Sequence, residues 1–220
     1  MPKAPVNDAR AAYEVNEDAD TSAKISLPDI AATDLPFETE ELRRGLQQFL
    51  NQQYPMAENS RVRLGAVKWG VYAFFDYDDE PIYVGQTKES LGTRIRRHLT
   101  NQRTDAVAMN VLDPFEVRTI EVWPLADFES RVGTDAYAVA RLNALEHHVF
   151  QLLLKKSQFN VVLNEKTPPL PTVDVTIPNS VRGRIVSDEV SRLRDHPDVR
   201  IARRAATLAK LAQVISERKV

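Results

Sequence analysis

Glu146 interrupts an apolar helical stripe. Between Asp135 and Lys156, the residues Ala136, Val139, Leu142, Leu145, Val149, Leu152 and Leu153 recur at helical spacing, which predicts one long amphipathic helix. Glu146 follows Leu142 by four residues and precedes Val149 by three, so the stripe runs through a carboxylate. A buried carboxylate is costly unless it is paired. The position therefore calls for a bound cation or for a buried ion pair, with Arg94 the candidate partner. His147 and His148 come next, but adjacent helical residues point about 100° apart and do not share the Glu146 face.

A second set of reactive types lies in Trp69–Thr100, WGVYAFFDYDDEPIYVGQTKESLGTRIRRHLT. VYAFF at 71–75 and PIYV at 81–84 predict two strands, joined across the Asp-rich DYDDE turn. They bring Tyr72 and Tyr83 onto neighbouring strands. Gly85 follows, where a side chain would block a close approach. A helix is predicted from about Ser90, with Leu91, Ile95 and Leu99 buried and with Arg94 and His98 one turn apart on a neighbouring face. Gly92, a weak helix former, predicts an irregular first turn. Arg94 offers a fixed guanidinium fork suited to phosphate, and Lys88 a point charge in the loop before it. Each also has an ordinary reading: core tyrosines, a solvated loop lysine, and one surface arginine among Arg96, Arg97 and Arg103. The chain has no cysteine, which excludes thiolate nucleophiles, thiolate-held metals and disulfides.

This stretch resembles the GIY-YIG nuclease superfamily. The two name motifs are Gly70-Val71-Tyr72 and Tyr83-Val84-Gly85, with their tyrosines 83 − 72 = 11 positions apart, and Arg94 and His98 match the family's helix arginine and following histidine. The resemblance runs from Val67 to Lys166. It implies a metal-dependent endonuclease that hydrolyses DNA phosphodiester bonds, acting on double-stranded DNA. Tyr72 would be the general base or water-positioning group and Arg94 the catalytic arginine. Glu146 would bind the single divalent cation, Mg²⁺ with Mn²⁺ able to substitute. Asn164 matches a downstream asparagine that orients Glu146 or a water, and Tyr83, Lys88 and His98 complete the expected catalytic set. A type II restriction-type enzyme is the leading reading. A repair or mobile-element nuclease and a catalytically silent nucleic-acid-binding module stand as alternatives, and a homodimer is open.

The implied fold is α+β: a small, mainly antiparallel three-stranded sheet flanked by helices, with an added N-terminal arm and helix and a C-terminal helical extension. The third strand is expected over Phe115–Trp123, and Phe159–Leu163 as a short final strand or extended run. Residues 1–36 read as a flexible acidic arm, 37–66 as a helix and loop packing on the core, and 67–166 as the nuclease core. Residues 167–179 read as a linker, since they hold four of the 13 prolines. Residues 180–220 read as a basic helical extension. Net charge is −2 overall, but residues 1–60 hold 5 Lys/Arg against 11 Asp/Glu, and residues 181–220 hold 10 against 5. The basic end makes Arg200, Arg203 and Arg204 candidate DNA contacts beside Arg96, Arg97 and Arg103. No run approaches the ~20 apolar residues of a membrane span, and a cytoplasmic protein is expected.

Overall fold

A computed structural model describes residues 37–56, 60–100, 112–164 and 167–217. The expected acidic arm and Arg103 lie outside them. Helix α1 (Phe37–Leu50) leads into a two-stranded hairpin, β1 (Gln53–Pro55) and β2 (Arg61–Arg63), where the sequence reads as loop. Strands β3 (Gly70–Phe75) and β4 (Pro81–Thr87) follow, then helix α2 (Leu91–Thr100), strand β5 (Thr119–Pro124) and helix α3 (Ala136–Lys156). Strand β6 (Val181–Arg184) and helices α4 (Asp188–Arg194) and α5 (Pro197–Glu217) complete the order. Among the described residues, no helix is long and apolar enough to cross a membrane.

The main sheet has four antiparallel strands in the order β4-β3-β5-β6, not the three expected. The added strand comes from VRGR, which the sequence reading assigned to a wholly helical extension. Its residues alternate between half-buried and exposed, and only the neighbouring strand reveals that period as a sheet edge. Arg182 stacks on the Phe75 ring at 4.0 Å and pairs with Glu121 and Asp79. At the other expected third-strand boundary, Pro114–Glu116 forms a 3₁₀ turn capped by the Asp113 side chain, so pairing begins only at Thr119. Phe159–Leu163 forms no strand: Phe159 and Asn160 belong to a turn, with Asn160 at φ 53°, and only the residues after them run along β4, where Leu163 N–H donates to Ile82 C=O at 2.9 Å.

The sheet separates two apolar layers. Tyr72 and Phe74 of β3 pack with Leu91 and Ile95 of α2 and with Leu46 and Phe49 of α1. Val71, Ala73 and Phe75, one position out of phase, pack with Leu142, Leu145, Val149 and Leu153 of α3. β3 is buried along its whole length because both faces are covered. The first turn of α2 is regular, against expectation: Ser90 caps it by accepting from Thr93 N–H. Gly92 is there for contact, since a Cβ would come within 2.8 Å of the Gly65 carbonyl oxygen.

The basic helix α5 is fastened to the far end of the β3–β4 hairpin. Asp76 accepts N–H bonds from Asp78 and Glu80 at 2.8 Å each, shaping the turn. Asp78 in turn receives Arg200 at 2.7 Å and Arg204 at 3.0 Å. Arg203 donates to Glu116 at 3.0 Å and to the Arg194 carbonyl at 3.1 Å, over the Tyr77 ring. This network corrects the expectation that Arg203 contacts DNA: its side chain is 5% exposed, and its charge is taken up inside the protein. Arg200 and Arg204 carry charge already shared with Asp78. Removing Arg203 strands the half-buried Glu116, whose other partner is Arg194 at 3.3 Å, whereas Arg200 is 53% exposed. Arg203→Ala should therefore lower stability by about 3 kcal/mol, and Arg200→Ala by under about 1 kcal/mol. Denaturant melts of both variants check this; equal small losses would show that the network does not fasten the helix.

Candidate active site at the edge of the sheet

Tyr72 and Gly85 face each other across β3 and β4. The Tyr72 ring lies over the β4 backbone there: a Cβ at residue 85 would stand 2.5 Å from Tyr72 Oη and 2.6 Å from Cζ. Only glycine leaves that space. Tyr83, two residues earlier on β4, tilts against Tyr72 with ring centres 6.3 Å apart. His98 reaches both from α2, at 5.8 Å from Tyr72 and 5.3 Å from Tyr83. The two tyrosines and the histidine singled out by spacing thus form one ring cluster.

Among the described residues, Tyr72 Oη, Arg94 Nε and Gln86 Oε1 are enclosed without a well-aligned hydrogen-bond partner, although Arg94 approaches the Tyr72 hydroxyl closely enough to act on it as a donor. Buried polar atoms are normally paired, so this group marks a place shaped for something else. Burial pushes the Tyr72 hydroxyl well above the ordinary tyrosine range, Tyr83 adds to this, and Arg94 pulls the other way. Burial thus favours the neutral hydroxyl of Tyr72 over the phenolate.

Glu146 approaches from α3. It is partly buried, and burial raises its pKa to about 7, against the opposing pull of Arg94. Such a carboxylate has too few donors around it and gains from a positive partner. Among the described residues, no three His, Cys, Asp or Glu side chains converge as a metal cluster. A single carboxylate nevertheless fits a hard divalent ion that keeps most of its waters and takes its remaining oxygens from phosphate, the habit of Mg²⁺.

The other expected residues are distributed around this centre. Lys88 is exposed on the rim of a cleft that Arg94 also lines. Arg97 is clasped by Glu89 through two contacts of 2.7 and 2.8 Å, and Arg96 donates to Gln47 at 2.8 Å. Asn164 is buried, with its amide bridging both backbone groups of Val84: Oδ1 accepts at 3.0 Å and Nδ2 donates at 2.7 Å. It ties β4 down next to Gly85. Residue spacing does not single out Gln86, whose amide donates to Asn143 of α3 at 2.8 Å; its tie between β4 and α3 is tertiary. His147 turns away, its Nδ1 3.2 Å from the Pro168 carbonyl.

The family model of the GIY-YIG catalytic domain matches residues 68–130. The match takes in both tyrosine motifs, Lys88, Arg94 and His98, and ends before Glu146 and Asn164. Domains of this family are endonucleases that generally depend on a divalent cation. No curated protein and no solved structure matches the chain significantly.

Glu146 allows scaffold and site to be told apart without any substrate. Its pKa is raised above the unfolded value, so the native state favours the protonated form and loses stability as pH rises from about 4.5 through 7. Glu146→Gln removes the charge. In metal-free buffer it should exceed wild-type stability by about 1–3 kcal/mol at pH 8 and match it at pH 4. A variant clearly less stable at pH 8 would mean that an Arg94 ion pair, and not a vacant need for a cation, governs the position.

Proposed function

We propose that this chain, carrying a GIY-YIG catalytic domain, hydrolyses phosphodiester bonds of double-stranded DNA with one divalent cation at Glu146. The observation that carries the reading is the meeting of Tyr72, Arg94, His98 and Glu146, drawn from a strand and two helices, with Arg94 acting on both Tyr72 and Glu146 in an enclosed place. Magnesium is the ion that a lone carboxylate fits best, with Mn²⁺ able to replace it.

When bound, the cation supplies Lewis-acid charge to the phosphate oxygens. The residues of the chain supply the remainder. Arg94 presents its unpaired Nε to a phosphate oxygen and offsets the charge that builds there during attack. The neutral Tyr72 hydroxyl orients the attacking water in line with the leaving oxygen. A water-positioning role suits its raised pKa better than that of a general base. His98, between the two tyrosine rings, is the group placed to take up the proton. Tyr83 buttresses both rings, and Lys88 on the rim meets a neighbouring phosphate.

A restriction-type enzyme remains our finer reading. Cutting both strands with one such site calls for a second copy or a second visit. The gathering of Tyr72, Arg94, His98 and Glu146 favours this reading over a silent DNA-binding module.

The test is nicking of supercoiled plasmid with Mg²⁺, then with EDTA. Wild type should nick only with the cation. Tyr72→Phe and Arg94→Ala should each lose at least about 100-fold, and their combination little more, since groups acting on one transition state are non-additive. Both variants nicking at the wild-type rate would reject the assignment, and a wild type inert with Mg²⁺ and Mn²⁺ would reject the activity on duplex DNA.

A further inference from the structure

Beside Arg94 lies an open cleft of about 620 Å³ between the β4–α2 loop and the first half of α3. Its walls differ in chemistry. Val139 and Leu142 of α3 form an apolar side, and the hydrogen-bonded amides of Gln86 and Asn143 form a polar one. Arg94 and the exposed Lys88 also line it, as does Glu89, whose carboxylate Arg97 clasps. Asn143 and Glu146 are one helical turn apart, which puts the cleft immediately next to the proposed cleavage centre.

The size, the apolar side and the amide edge fit an aromatic heterocycle rather than a phosphate alone. Pockets for such rings combine apolar contact on the faces with a few fixed polar groups on the edge. We infer that the cleft receives the nucleobase adjoining the scissile phosphate, turned out of its stack, with Val139 and Leu142 against the ring and Gln86 reading its edge. The inference rests on the nuclease reading above and names a base-binding site within it. A base drawn from the duplex costs a few kcal/mol of unstacking, which phosphate contacts at Arg94 and Lys88 offset.

The edge carries a requirement. Gln86 Nε2 is committed to Asn143 Oδ1, while Gln86 Oε1 is enclosed and, among the described residues, has no partner. What the pair lacks is a donor. A base turned out of its stack presents its Watson–Crick edge, which carries an amino group in adenine and cytosine and the N3–H in thymine. Seating any of them lets the Gln86 amide turn toward that donor and satisfies the oxygen, a gain of about one neutral hydrogen bond, roughly fivefold in binding.

The experiment is titration of the full-length protein with dAMP, dCMP and dTMP, followed by the methyl NMR signals of Val139 and Leu142. Both residues should shift with each of the three nucleotides, and Gln86→Leu, which keeps the bulk and removes the acceptor, should weaken each about fivefold. Silence at both methyl groups up to about 10 mM nucleotide, enough to fill a millimolar site, overturns the inference; so does an unchanged affinity in Gln86→Leu. Because the titration reads binding, the two readings fail separately. A protein that takes up dAMP in the cleft but nicks nothing contradicts the nuclease reading. One that nicks yet ignores all three nucleotides contradicts only the base site.

Discussion

The Tyr72 ring lies across the backbone of its neighbouring strand, and the missing side chain of Gly85 makes that possible. Much of the site depends on this contact. It carries the phenol from an interior strand toward the open side of the edge strand, where Arg94 acts on it. Tyr83 and His98 then close around the ring. Asn164 supports the arrangement from outside by taking both hydrogen bonds of Val84, so β4 has a partner on its free side next to Gly85. An edge strand held in this manner resists pairing with other chains and keeps the glycine fixed beneath the ring.

The same packing creates the chemistry by denying water to polar groups. A carboxylate on α3 and a guanidinium on α2 reach the site from helices on opposite faces of the sheet. The Glu146 pKa of about 7 reflects its burial. Such a group is a poor contributor to stability and a good receiver of a cation, a trade that active sites commonly make. The C-terminal arginines behave in the opposite way. They meet Asp78 and Glu116 at the turn end of the hairpin, and their charge goes into fastening α5.

The family resemblance named the tyrosine–arginine–histidine set, and local periodicity made the long helix and the two motif strands legible, because spacing of 2 or 3.6 residues is written along the chain. Glu146 stood out for the same reason, as a charge inside a stripe. What stayed hidden depends on a partner distant in sequence. VRGR becomes a strand only beside β5. A count of basic residues does not disclose that Arg203 is buried against Glu116, since the two are 87 positions apart. Gly92 read as a weakness in α2, whereas it is the place where that helix touches Gly65. Gln86 was passed over because its amide has meaning only once Asn143 is brought to it.

The central claim is that the close approach of Tyr72 to Gly85 sets the catalytic hydroxyl. Plasmid nicking by Gly85→Ala, measured with its melting curve, tests it most directly. The added methyl has to displace a ring that is fully buried, and a shift of about 1 Å at a reacting group costs about 100-fold in rate. The account predicts a folded protein, destabilised by about 1–3 kcal/mol, that has lost nicking to this extent. Adding Tyr72→Phe, which deletes the clashing oxygen, should recover stability without recovering cleavage. A folded Gly85→Ala that nicks at the wild-type rate would contradict the claim.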